Sequence, residues 1–390
     1  MNTSQAKGQT SASEQIDTTP SGSRLSRKIF HEIFLDYLRL HELIPYSVAL
    51  VSVYDIDRSW ARKWSSLIPL HRFKRRCEEA LFHVSLARYA AKMSPSDIVV
   101  IFEFFLGSAL LAYPILLSRR KPSLIFLTWD QQFATRSLLR YGCLLAFRLY
   151  LAVARSLAVQ AEISDICLPA RFRLPANKTV VLPLPSQSRL SPPLRPGQRY
   201  SSGHPIKIGV VGMPRRDKLL FDCAFLERVR SAVAVIPNAL LIIGCPRELL
   251  PPGFSLPAGC QCEFTDTTEN SAYYALMSDL HILVTTHDKG WFYYRPSGVL
   301  MDAINCGAWV VCPDYPVFRH QVEWPRQVGV TYQSMEMIPV SIKRAAELAL
   351  RYGCDPHWEW IAGRSIERLA PLITSAVENQ LSYPPSPGRK

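Results

Sequence analysis

The chain lacks the short signatures that settle a chemistry at a glance. Its ten cysteines (Cys77, Cys143, Cys167, Cys223, Cys245, Cys260, Cys262, Cys306, Cys312 and Cys354) contain no C-x-x-C pair. That argues against a disulfide framework and fits a reduced, cytoplasmic setting. There is no zinc-finger spacing, no RNP-type aromatic strand and no Lys/Arg run suited to a groove-binding helix, so nucleic acid ranks last among partners. Residues 1–28 are rich in Ser, Thr, Gln and Gly and have no apolar h-region, which excludes a signal peptide and predicts a disordered leader.

What is present is enough apolar material for two cores. The 390 residues are 48% hydrophobic, and at about 100–200 residues per domain they predict two domains. The formal charge of +13 is uneven: residues 1–200 hold 27 Lys/Arg against 14 Asp/Glu, residues 201–390 hold 18 against 18. A basic first half predicts an anionic partner there, whether lipid head groups, a lipid phosphate or an acidic glycan. The basic segment Phe73 to Lys92, with Arg119, Arg120 and Lys121, reads either as a helix resting on an anionic membrane or as an ordinary amphipathic cover on a sheet. Residues 98–117 are long and apolar enough to span a bilayer. Glu103, Gly107-Ser108 and Pro114 favour division into a strand and a helix instead.

Apolar strand-like runs alternate with helical ones from Ser47 onward, the pattern of parallel sheets with crossover helices. Strands are predicted near 47–54, 98–102, 123–128, 157–160 and 179–182, then 206–212, 239–244, 281–285 and 308–312. The predicted layout is a first α/β domain over 29–186 and a Pro/Gly/Ser-rich linker over 187–204. A second domain over 205–352 follows, with C-terminal helices over 353–378 that cross back to the first domain, and a tail over 379–390. Two Rossmann-like domains leave a cleft, and ligands collect beyond the carboxyl ends of such strands.

The segment from Tyr293 to Pro313 carries the most information. Ser297 is placed to cap a helix whose first turn holds Gly298 and Val299. Gly307 is placed to end it, and Trp309 to Cys312 forms a buried strand. The amides at 298–300 then make an anion site, with Asp302 one turn below on the same face. That suits a nucleoside diphosphate, phosphates on the helix end and ribose on the acid; the alternative is an ordinary capped helix with a solvated Asp. Gly212, Arg215, Arg216 and Lys218 form a glycine-basic loop after one strand, and Gly244 ends the next. Arg295 is a further candidate diphosphate contact. Glu103 and Asp130 end consecutive strands of the first half as candidate acceptor-orienting or proton-accepting groups, although Asp130 serves equally well as a helix cap. His287 and Asp288 lie in a loop from which they reach a bound sugar or simply meet solvent.

Taken in order, the glycine-basic loop, the strand ending Ile242-Ile243-Gly244, the Tyr273 to Val284 helix-strand unit and the 293–313 segment resemble the group 1 (family 4) glycosyltransferases with the GT-B fold. The first half resembles them through Ser123 to Phe133 and through Leu157 to Gln160 followed by Val180 to Pro183. The resemblance implies a cytoplasmic enzyme, peripheral at the inner face of the membrane. It would transfer a hexose-type sugar, with retention, from a nucleoside diphosphate sugar to a polysaccharide or lipid-linked glycan, with no metal required. The family's E-x7-E motif falls on Tyr294 and Asp302, so the first acid is replaced by a phenol and the second is shorter by a methylene. The resemblance gives Asp302 the ribose and Tyr294 the sugar contact. A silent relative that binds a nucleotide sugar or glycan as a scaffold is the alternative.

Overall fold

The computed structural model describes residues 48–51, 98–101, 123–128, 138–162, 169–186, 204–213 and 219–381. Among them are two parallel sheets. The first holds β1 (Val48–Val51), β2 (Ile98–Ile101), β3 (Ser123–Thr128), β4 (Ser156–Ala161) and β5 (Thr179–Leu182), in that spatial order. The second runs β11-β10-β9-β6-β7-β8, built from β6 (Ile206–Val211), β7 (Ala239–Cys245), β8 (Cys262–Asp266), β9 (Ile282–Val284), β10 (Trp309–Pro313) and β11 (Gly329–Tyr332). The helices are α1 (Leu138–Val153), α2 (Cys223–Val235), α3 (Asn270–Asp279), α4 (Lys289–Phe292), α5 (Gly298–Asn305), α6 (Pro316–Glu323), α7 (Ile338–Tyr352), α8 (Asp355–Gly363) and α9 (Ile366–Leu381).

The strands form because continuous Val, Ile and Leu runs satisfy a parallel sheet buried on both faces. In β10, Val310 and Cys312 face one core with α3, α5 and α6, while Trp309 and Val311 face another with α2 and α7. Two strands escaped the sequence reading, β8 and β11, and they are the two edges of the second sheet. An edge strand needs no unbroken apolar run, and Cys-Glu-Phe-Thr-Asp and Gly-Val-Thr-Tyr carry none. The chain leaves β6 toward β7 and β8, then returns to the other side of β6 to form β9, β10 and β11. The order therefore reverses between β6 and β9, and a crevice opens beyond the carboxyl ends of that strand pair.

Residues 98–101 of the apolar 98–117 stretch are strand β2, paired in parallel with β1 and β3. Among the described residues no helix is long and apolar enough to cross a membrane. The Phe73 to Lys92 segment and residues 187–203 lie outside the described residues.

The sheets are joined through a buried ion pair. Glu162, in a left-handed conformation (φ 64°) just past β4, and Arg364, just past α8, are both fully buried. Arg364 Nη1 donates to Glu162 Oε1, and Nη2 reaches Oε2 at 3.4 Å. The remaining donors of the guanidinium go to the carbonyls of Trp324 (2.8 Å from Nη2) and His320 (3.1 Å), and its plane lies against Trp324 and Trp360. Glu162 also accepts from the Leu184 amide (2.7 Å) and pairs with His320 Nδ1 (2.7 Å). Ser186 completes the joint, its amide and hydroxyl reaching the carbonyls of Arg364 (2.9 Å) and Ile361 (3.0 Å). From there α9 packs back against β4 and β5.

Burial by itself would push the Glu162 carboxyl up, but Arg364 and His320 outweigh it and hold it below the usual carboxylate range. Breaking one partner leaves a buried charge alone, so Glu162→Gln is expected to cost about 3–5 kcal/mol in chemical denaturation. A loss under about 1 kcal/mol would show that the joint is not load-sharing. Because the folded value is depressed, the carboxylate's contribution is complete above its unfolded pKa of about 4.3 and is lost as pH falls through the lower folded value. Melting of the wild type should therefore fall more steeply over that acid window than melting of Glu162→Gln.

Candidate functional site

The candidate site is assembled by the chain between β9 and β10. After Val284 come Thr285, Thr286 and His287, then α4, the Tyr293-Tyr294-Arg295-Pro296 connection, Ser297 and α5. Gly307 ends the α5 segment at φ 82°, the left-handed turn that its position predicts.

Ser297 is the N-cap residue of α5, but its side chain does not cap the helix. This corrects the sequence expectation, and the reason is competition. Its Oγ lies 3.3 Å from His287 Nε2, while Gln321 grips its backbone from both sides, Oε1 accepting from the Ser297 amide (3.0 Å) and Nε2 donating to its carbonyl (3.2 Å). The amides of Gly298, Val299 and Leu300 have no partner among the described residues. The helix start is thus fixed from behind, with its positive end open.

His287 is buried, not a solvent-facing loop residue. Its ring sits edge-on to Phe292 (4.3 Å) and Phe318 (4.9 Å), with Nδ1 3.4 Å from Thr285 Oγ1. Its carbonyl accepts from Tyr315 OH at 2.7 Å. His287 therefore holds Thr285 to Ser297, a bracing part more than a group aimed at solvent. Asp288 is the N-cap residue of α4, also without a side-chain capping bond.

Asp302 is buried between α5 and α3, and its Oδ2 accepts from Tyr273 OH at 2.9 Å. Burial, reinforced by the Asp302 charge, raises the Tyr273 phenol well above its ordinary value, so it stays a neutral donor. Tyr294 is half-buried, packs against the core and meets Tyr293 edge-to-face at 4.7 Å. Lys289 Nζ stands 5.1 Å over the Tyr293 ring, and the Arg295 guanidinium 5.4 Å over Phe292.

Gly212, at φ 141°, follows β6, and its amide donates to the Gly244 carbonyl at 3.0 Å, so these two predicted positions adjoin at the sheet's carboxyl edge. Gly244 has a packing reason of its own, since a Cβ there would lie 2.4 Å from Leu276 Cδ2. Arg215, Arg216, Lys218, Glu103 and Asp130 lie outside the described residues. Among the described residues no group of three or more His, Cys, Asp or Glu side chains is placed to hold a metal ion.

Sequence reading missed Gln321, Tyr273 as the partner of Asp302, and the Glu162 joint. No local pattern announces them, because their partners lie far along the chain. Gln321→Leu would strip both bonds from the buried Ser297 backbone, an expected loss of at least about 2 kcal/mol. Amide exchange at Ser297 and Met301, the bonded amides at this helix start, should rise while β6 and β7 stay protected; unchanged exchange would remove Gln321 from the bracing of α5.

No family model matches the sequence, and no curated protein matches it significantly. Solved structures do. WaaB, a lipopolysaccharide outer core galactosyltransferase, superposes with a TM-score of 0.52 at 14% identity, covering 79% of this chain and 81% of that one. Anabaena HepE in complex with UDP gives 0.52 at 12% identity, covering 76% and 82%. TarM gives 0.54 at 10% identity, covering 78% of this chain but 58% of its own length. The chain likewise spans about three fifths of the GtfA/B neighbour. Two Rossmann-like sheets, a strand-order reversal beside an open helix end, and these superpositions together show that the chain has the GT-B fold, the architecture that the sequence resemblance implied.

Proposed function

We propose that the protein is a glycosyltransferase that moves a sugar from a nucleoside diphosphate sugar to a polysaccharide or lipid-linked glycan, with retention at the anomeric carbon. The observation that carries the reading is the start of α5: free amides at 298–300, braced by Gln321 and His287, beside the β6/β9 reversal, with Asp302 one turn inside. Support comes from the neighbours of like fold, one a galactosyltransferase and one binding UDP.

In this reading the leaving diphosphate lies on those amides and on Arg215, Arg216, Lys218 and Arg295. They neutralise its growing charge as the glycosidic bond breaks, with no metal required. Gly212, with Gly244 adjoining it, brings bare backbone at the sheet edge to the donor. Asp302 accepts from a ribose hydroxyl while Tyr273 holds its other side, and Tyr294 gives the sugar a single hydroxyl contact where an acid would give two acceptor oxygens. Glu103 and Asp130 orient the acceptor and take its proton. The basic first half holds the protein at an anionic membrane surface on the cytoplasmic side.

Tyr294 also favours a second reading, a silent GT-B relative that binds its nucleotide sugar without turning it over. Calorimetry with UDP and GDP tests the site. Asp302→Asn, which keeps an oxygen for Tyr273, and the pair Arg215→Ala with Lys218→Ala should each weaken binding at least about tenfold, the equivalent of about 1.4 kcal/mol, with melting unchanged. Equal affinity in both variants would remove the site assignment. Turnover of a UDP-, GDP- and dTDP-sugar panel with membrane extract as acceptor identifies an enzyme, and binding without turnover identifies the scaffold.

A further inference from the structure

Two of the cysteines stand a single residue apart, Cys260 and Cys262, where the chain enters the edge strand β8. Side chains two apart on an extended chain share a face, and here both thiols pack with Phe264 against the core that α2 and α7 cover. Both are half-buried, while Cys143, Cys245, Cys306, Cys312 and Cys354 are buried. One half-buried cysteine is a small hydrophobe; two on one face are a dithiol. Two residues of extended chain set the Cα atoms about 6.6 Å apart, inside the span of about 4.4–6.8 Å that a disulfide bridges.

The turn before them is held in place. Gly259 adopts φ 84°, a left-handed conformation, and a Cβ there would lie 2.8 Å from Arg230 Nη1. The same nitrogen donates to the Ala258 carbonyl at 3.3 Å, while Nε donates to Glu227 at 2.8 Å. A guanidinium fixed on α2 therefore stands beside the first thiol. Burial lifts both thiols above their ordinary range. Arg230 counters that lift at Cys260, whereas Cys262 is pushed up to about 11 by burial and by the charge of Cys260. The two sulfurs are thus unequal, Cys260 the readier to ionise and Cys262 the readier to keep its proton.

We propose that Cys260 and Cys262 form a redox site that closes to an intrachain disulfide by exchange with a small-molecule disulfide, oxidised glutathione being the representative reagent. Cys260, as its thiolate, attacks one sulfur of the reagent, whose S–S bond breaks and releases one glutathione thiolate. Cys262 gives its proton to that thiolate and attacks Cys260 Sγ. The mixed S–S bond breaks, and the second glutathione thiolate leaves and takes up the proton that Cys260 had lost. Two protein thiols thereby give up two electrons and two protons, and the reagent becomes two thiols. In a reduced compartment such a bridge is transient and regulatory, not a framework. It ties the pinned turn at 258–259 to the first residue of β8. Asp266 and Thr267, beside the donor edge, lie at the other end of that strand, so the inference is independent of the transfer reaction proposed above.

The test incubates the full chain in glutathione buffers from fully reduced to fully oxidised, quenches with acid, alkylates the remaining thiols and maps the peptides by mass. The wild type should yield a peptide containing Cys260 and Cys262 that is two hydrogen atoms lighter than the dithiol, restored by dithiothreitol, with the fold retained. Cys262→Ser should stop at the mixed disulfide on Cys260, and Cys260→Ser should take up glutathione on Cys262 at least about tenfold more slowly. Two intact thiols in fully oxidised glutathione, or glutathione on each sulfur without a bridge, overturn the proposal. A bridge that forms only in denaturant overturns it too. Equal uptake by the two serine variants overturns the order of attack. If either serine variant melts early, Arg230→Gln reads the same asymmetry: it should slow closure of the bridge several-fold, and an unchanged rate removes the guanidinium's part in it.

Discussion

The arrangement of the two sheets depends on one buried ion pair. Glu162 and Arg364 are each stripped of water, a step that costs several kcal/mol per ion, and recover it through a closed set of partners: each other, the Leu184 amide, His320 and a row of carbonyls. Such a pair adds little net stability over a packed apolar pair. What it does strongly is punish separation, because either ion left alone has nowhere to go. It therefore acts as a register device between the end of β4, α6 and the start of the C-terminal helices. The left-handed backbone at Glu162 is the local strain that this closure sustains.

Helix α6 extends the influence of the joint to the site. His320 faces Glu162, and the next residue, Gln321, clasps the backbone of Ser297 at the start of α5. The carbonyls of the same two residues accept from Arg364 and from the Trp360 indole (2.8 Å), so both ends of the linkage are tied. Tyr315, just before the helix, holds His287, which touches Ser297 from the other side. The open amides of α5 are thus positioned by side chains from beyond β10, not by their own cap. The proposed anion site needs fixed donors, and packing from behind holds these amides in place.

Central strands were legible because burial on both faces forces unbroken apolar runs, as in Leu240 to Ile243 and Val310 to Val311. The edges β8 and β11 were not, since an edge strand needs no unbroken apolar run and neither carries one. Gly307 could be read because one backbone conformation demands it. Ser297 was misread because a local preference for capping lost to two distant side chains, and His287 because burial is a property of the packed whole. Tyr273 was visible as part of a motif, yet its bond to Asp302 spans 29 positions and becomes evident only when α3 lies beside α5.

That bond also limits how the two helices can change. The carboxylate at 302 meets the phenol of Tyr273 on one side, so the length of one side chain sets where the other can stand. An acid longer by a methylene at 302 keeps that bond only if its side chain bends or α3 moves outward. The spacing of α3 and α5 is therefore tied to one side-chain pair. A departure from a motif at a single position is better judged together with the residue across the interface that fills the space.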